Sequence, residues 1–326
     1  MSKYIDLLRA HRRERREEEK KGRTKSARKS ASGEDVPEPE SMLPEEQPDN
    51  TQVVDTATPE EQLPDEGPVT EDYASATGAT QQGHEDATSG EDMAAWLDVC
   101  ARHVLALFNA AAAGTPADIT PLESHLEQLM QRLAGNAEVV NELELTVANH
   151  TRNIRAIDET NGDLVQKAVM MMLYAIKTGL QLNTTGAALK QLVLAAMLHH
   201  IGMAQIPADI RRKKESLTEK ERELIQQAPV KASAYLQQCG ISTAEILQAA
   251  EQARERYDGS GPQGLSGTDI AYSARLVGLL SMFESLIHYR PYRERLLPRD
   301  AIRELVNHHK AAFDPVMLKA LIESIS

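Results

Sequence analysis

Beyond residue 92, apolar residues recur about every three or four positions, the spacing of an amphipathic helix. Met93 to Ala113 carries Trp96, Leu97, Cys100, Val104, Leu105, Leu107 and Phe108 on this rhythm, and Pro116 interrupts it. The pattern predicts a second helix over about 121–134, a third over about 137–158 and a fourth over about 163–180. The fourth contains Met170, Met171 and Met172, which read as adaptable core filling.

Boundary residues mark the later helices. Thr184 or Thr185 can cap a helix running to about His200. Capping boxes are predicted at Thr218/Glu221 and Ser242/Glu245, where a hydroxyl and a carboxylate exchange backbone hydrogen bonds. A long helix is predicted over about 270–288. Pro298 opens a helix to about His309, and Asp314-Pro315 pairs an N-cap with proline at the first helical position. No useful period-two strand pattern occurs. The predicted fold is all-α, a bundle of roughly ten helices preceded by a long disordered N-terminal region.

The first 92 residues lack that rhythm. Residues 1–30 form a basic leader with 12 Lys/Arg against 5 Asp/Glu. Tyr4, Ile5, Leu7 and Leu8 make a small apolar knot ahead of a charged stretch able to form a short helix. The leader reads as a solubilising segment, as a docking peptide for a partner groove, or as a basic membrane-surface anchor, which its glutamates weaken. Residues 31–92 hold 18 acidic residues and no Lys or Arg, with few apolar side chains to offset the entropy of ordering. They read as a disordered linker. Residues 93–158 read as a helical extension, and 159–326 as the principal helical domain.

Composition narrows the function. The 326-residue chain has a net charge of -13, but residues 93–326 are close to neutral, so no basic field invites nucleic acid. Cys100 and Cys239 cannot build a disulfide framework or a zinc knuckle. No apolar run reaches the ~18 residues of a membrane span, and the N-terminus shows no apolar signal core. A cytoplasmic location is expected. Walker-type phosphate loops and the Ser-x-x-Lys or Gly-x-Ser-x-Gly nucleophile motifs are absent.

Three ordered stretches carry a resemblance: Leu198-His199-His200-Ile201-Gly202-Met203 through Ile206-Pro207, Glu255-Arg256-Tyr257-Asp258-Gly259-Ser260-Gly261-Pro262, and Arg290-Pro291-Tyr292-Arg293. Together they resemble the HD-GYP domain of the HD phosphohydrolase superfamily, over about 160–325. The resemblance implies a helical bundle and hydrolysis of cyclic di-GMP by two or three iron-like or manganese-like ions. Such ions would lower the pKa of bridging water and neutralise phosphoryl oxygens.

Matched residue by residue, most of the implied ligand set is missing. Asn161 to Val165 contains no histidine. The His-Asp pair becomes His199-His200, and the phosphate-assisting Lys becomes Met203. Further ligand positions hold Ala228, Ala253-Arg254 and Ser281, and the Tyr of Gly-Tyr-Pro is lacking at Gly261-Pro262. Only His199 survives.

The expectation is therefore a chain that is not an enzyme: an inactive HD-GYP-like interaction or scaffold protein with no metal, no cofactor and no catalytic residues. The candidate interaction surface is Arg256, Tyr257, Asp258, Gly259, Ser260, Gly261, Arg290, Tyr292 and Arg293. By resemblance it would meet a protein partner such as a GGDEF-domain protein. Two alternatives stay open. One is a receptor that binds a cyclic dinucleotide without cutting it, through Arg254, Arg256, Arg290 and Arg293; cyclic di-GMP is possible here but not favoured. The other is a residual metal-dependent phosphodiesterase with a rearranged site.

If the linker contributes nothing to the core, a 91–326 fragment should melt within about a degree or two of the full chain. A full-length Ile5→Asp/Leu8→Asp variant should lose any partner held by the leader in a pull-down. Unfolding of the fragment would show that the linker is part of the fold.

Overall fold

The computed structural model describes residues 87–134, 136–288 and 295–325. The docking knot Tyr4, Ile5, Leu7 and Leu8, and all of the leader, lie outside the described residues. So do Arg290, Tyr292 and Arg293. Among the described residues every regular element is helical.

Four helices open the bundle: α1 (Ala87–Ala113), α2 (Thr120–Leu133), α3 (Glu138–Ala156) and α4 (Gly162–Gln181). They match the predicted set, except that α1 begins inside the stretch expected to be linker. A first helical turn need not present an apolar face, so periodicity places such a start late. Then come α5 (Gly186–Leu198), a 3₁₀ turn at Ile201–Gln205, and the short α6 (Ala208–Arg211) and α7 (Glu219–Gln226). The bundle closes with α8 (Ala228–Gln238), α9 (Ala244–Gln252), α10 (Tyr272–Ile287), α11 (Pro298–His308) and α12 (Pro315–Ile325).

The core centres on α4 and α5, which pack against each other. Val165, Ala168, Met171, Met172 and Ile176 on α4 are fully buried, as are Val193, Ala195, Met197 and Leu198 on α5. The methionine run is core filling, as its flexibility suggested. Each Val, Leu, Ile or Met among them contributes roughly 2 kcal/mol of burial free energy, and each Ala less. This explains a discrepancy with the sequence reading. The segment Gly186–Gln205 is 20 residues long with mean hydropathy 1.2, apolar and long enough to cross a membrane. Yet 72% of its window is buried inside the bundle, so its apolar character is that of a core helix.

Local signals decide the helix ends. At Thr218 the predicted capping box forms: Glu221 N donates to Thr218 Oγ1 at 3.3 Å, and Thr218 N donates to Glu221 Oε2 at 2.7 Å. At Ser242/Glu245 it does not. The N-cap is Thr243 and makes no side-chain cap bond. This one-residue shift puts Glu245 second in the helix, where its carboxylate cannot complete the reciprocal pair. Asp314 caps α12 as expected, accepting from Val316 N at 2.9 Å, while its other oxygen pairs with Arg275 at 2.6 Å.

Gly202 fixes the approach of the 3₁₀ turn to α8. A Cβ there would lie 2.0 Å from Ala228 O and 2.7 Å from Ala232 N, both backbone atoms. Gly202→Ala must push the turn away from α8, with an expected cost of about 1–3 kcal/mol. For a domain of this size that is a Tm loss of several degrees, readable by differential scanning calorimetry. An unchanged Tm would mean that the two elements separate freely.

Candidate functional site

Three elements of the core bring polar side chains together. Lys167 comes from α4, His199 from the C-terminal end of α5, and Ser281, Glu284 and His288 from one face of α10. The α10 residues share a face because they are three and four positions apart. Lys167 Nζ donates to Ser281 Oγ at 3.1 Å and lies 3.5 Å from Glu284 Oε2. Glu284 is 1% exposed, and its second oxygen is 3.4 Å from His288 Nδ1.

The proton positions follow from chemistry. His199 Nδ1 is 2.7 Å from Ala196 O, a carbonyl that can only accept, so Nδ1 carries the ring hydrogen. His199 Nε2 is then an acceptor, 3.3 Å from the Ser281 hydroxyl. An ammonium can only donate. The bonds therefore run in one direction, from Lys167 N–H to Ser281 O–H to His199 Nε2. Burial pushes the His199 pKa down to about 3, helped by the nearby positive charges of Lys167 and Arg254. His199 is neutral at physiological pH, which the relay requires. Ser281 and Arg254 are half-buried, so the cluster reaches the surface on one side.

His200 turns elsewhere. Its Nε2 is 3.1 Å from Leu164 O, and its ring packs on Phe108. Ala228 and Ala253 are buried against neighbouring helices. A separate polar groove lined by Glu123, Glu127 and Lys190 brings in none of these residues.

The Arg256–Gly261 stretch forms a loop organised by a residue just before it. Glu255 is buried, accepting from Gln263 N at 2.9 Å and Leu265 N at 3.1 Å. Gly261 packs so closely on Glu255 that a Cβ would lie 2.6 Å from its Cα. Arg256 stacks over Phe313, 5.4 Å from the ring centroid, and Tyr257 N donates to Ala312 O at 2.9 Å. Asp258 Oδ1 accepts from Ser260 N at 3.1 Å and from its hydroxyl at 2.7 Å. Asp258 and Ser260 are exposed, whereas Arg256, Tyr257, Gly259 and Gly261 are partly buried. Arg254 is the arginine of this region that bears on His199.

A family model described as HD domain matches residues 122–317, more than half of the chain. The chain belongs to the HD domain family. A cyclic di-GMP phosphodiesterase of Borreliella burgdorferi, PdeB, is 28% identical over 160 residues, covering 49% of this chain and 42% of that protein. The cyclic di-GMP phosphodiesterase response regulator RpfG of Xanthomonas campestris is 31% identical over 198 residues, covering 60% of this chain and 51% of that protein. This HD-domain chain thus spans about half the length of these curated relatives. An HDG"Y"P protein from Bdellovibrio bacteriovorus shares its fold, with a TM-score of 0.56, 16% identity and coverage of 74% of both chains.

These relatives overturn the expectation that the chain is not an enzyme. Its curated relatives are named cyclic di-GMP phosphodiesterases, which points to an enzyme family. Lost ligands describe one way of building a site and do not decide whether the chain acts. Among the described residues, however, no three His, Cys, Asp or Glu side chains gather to hold an ion. The donors present are the neutral imidazole of His199, a hydroxyl, a carboxylate already facing an ammonium, and the His288 ring, which is turned to Glu284 Oε1 at 3.4 Å. They do not fit the metal ions that the family resemblance implies. The sequence reading missed Lys167, Glu284 and Glu255 as organising residues. The available signal was a lone Gln166-Lys167 inside the apolar run of α4.

The depressed pKa of His199 has a pH consequence. On acidification the unfolded imidazole takes up a proton near its ordinary pKa of about 6.5, well before the folded one. Stability is retained above about pH 6.5 and falls as pH drops toward 3, by roughly 1 kcal/mol per pH unit from this residue. Urea unfolding at about pH 7 and about pH 5 should show a smaller acid loss in His199→Gln than in the parent. Equal losses would place His199 in contact with solvent.

Proposed function

We propose that the chain works in cytoplasmic cyclic di-GMP signalling as a phosphodiesterase that engages the dinucleotide at the His199 cluster. The observation that carries this reading is the HD-domain match together with curated relatives named cyclic di-GMP phosphodiesterases. The geometry supports it in two ways. A phosphodiester is an anion, and Lys167 and Arg254 supply positive charge beside His199. The Ser281–His199 pair supplies a hydroxyl against a neutral base, the arrangement needed to take a proton from an attacking oxygen.

The chain's residues would act as follows. Arg254 holds a phosphoryl oxygen and offsets the charge that grows on it during attack, while Lys167, seated between Ser281 and Glu284, orients the Ser281 hydroxyl. Nε2 of His199 receives a proton from a water that takes the place of the Ser281 hydroxyl and attacks phosphorus; the bond from phosphorus to the ribose 3′ oxygen breaks, and that oxygen takes the proton back from Nε2 to give the linear dinucleotide, while Nδ1–H stays fixed on Ala196 O. An imidazole with a pKa of about 3 is a weak base, so turnover should be slow.

The exposed Asp258–Ser260 tip supports a second, compatible role as a contact surface for a protein partner, since its shape is set from within by Glu255. The leader would add a second contact. These interaction roles extend the phosphodiesterase reading and do not replace it.

Incubating the full-length protein with cyclic di-GMP should yield the linear dinucleotide slowly, above a buffer control, by liquid chromatography. His199→Ala should reduce the rate by about 100-fold, the usual share of a general base. No product in any condition would sink the phosphodiesterase reading. Turnover unchanged in His199→Ala would move the reaction away from this cluster.

A further inference from the structure

Glu284 is the most deeply buried carboxylate of the cluster, at 1% exposure. An ionised carboxylate in such a place requires a cation, because burial without one is far costlier than burial with it. In a helical bundle of this family a divalent ion is the expected cation. Here α4 supplies a different one. The Lys167 ammonium lies 3.5 Å from Glu284 Oε2 and donates to Ser281 Oγ at 3.1 Å. Through Ser281 it connects to the Nε2 of His199, the one implied ligand the chain retains.

We infer that Lys167 is a built-in replacement for a divalent ion: its ammonium neutralises Glu284 and orders Ser281 and His199, so the cluster operates without a bound metal. An ion entering between His199 and Glu284 would meet the Lys167 charge at close range, with Arg254 nearby. It would find the Nε2 of His199 and a carboxylate whose far oxygen already faces His288 at 3.4 Å, and among the described residues no three His, Cys, Asp or Glu side chains converge on one point, too few donors for an ion of the manganese or iron class. A lysine on a four-carbon stem reaches the buried carboxylate while its methylenes pack in the apolar wall of α4. Lys167 is thus a positioning residue. The inference concerns the cluster proposed to act on cyclic di-GMP, but it does not depend on turnover.

The test uses the full-length protein, purified from cells grown with added manganese and iron. Elemental analysis should find well under one transition-metal ion per chain, and a chelator should leave Tm unchanged. Lys167→Met should lower Tm by several degrees. Adding Glu284→Gln to that variant should restore most of the loss, because the uncompensated carboxylate is then gone. Lys167→Arg should lose less than Lys167→Met. A stoichiometric ion removed by the chelator with a fall in Tm would overturn the inference, and so would a Lys167→Met protein as stable as the parent. If Lys167→Met does not fold, the elemental and chelator measurements on the parent still decide. Failure of the phosphodiesterase reading would appear in product formation, a separate measurement.

Discussion

Glu284 is a carboxylate with almost no exposure, placed where α10 packs against α4. Removing a charge from water is tolerable only if an opposite charge and hydrogen bonds replace the solvent, and removing one partner of such a pair typically costs about 3–5 kcal/mol. The Lys167 ammonium lies 3.5 Å from one oxygen of Glu284, and His288 Nδ1 lies 3.4 Å from the other. Once Lys167 is held there, its remaining donors order Ser281, Ser281 presents its proton to His199, and His199 must stay neutral. One buried charge thereby sets the protonation and orientation of the whole cluster. The apolar contacts of α4 with α5 hold it in register.

A second buried carboxylate, Glu255 in the loop after α9, does similar work. Glu255 binds two backbone amides of the loop and has Gly261 packed against it, so the exposed tip rests on an internal brace. The two carboxylates solve one problem in different ways. Glu284 takes a side-chain cation, and Glu255 takes two backbone N–H donors, which satisfy its oxygens without introducing another charge. The loop keeps its shape although it lacks the tyrosine of the Gly-Tyr-Pro pattern.

Much of the fold was legible in the sequence because helix periodicity and helix ends are local. The boundaries of α2, α3 and α4, the Thr218 box and the Asp314-Pro315 start depend on residues within one or two turns. The Ser242/Glu245 box failed on a one-residue choice between two adjacent hydroxyl caps, which spacing alone cannot make. The site was less legible because it is assembled from α4, α5 and α10. His199 and Ser281 were visible as positions in a motif. Lys167 was not, since a motif of expected ligands is silent about an unexpected cation more than a hundred residues from its partners. For the same reason the loss of ligands was overread as loss of enzymatic character.

Anomalous diffraction at the manganese and iron absorption edges, from crystals of the full-length protein grown with those ions, tests the central claim most directly. The account predicts no anomalous peak between His199 and Glu284, with the Lys167 ammonium seated between Ser281 and Glu284. A peak there, with Lys167 displaced toward solvent, would contradict it.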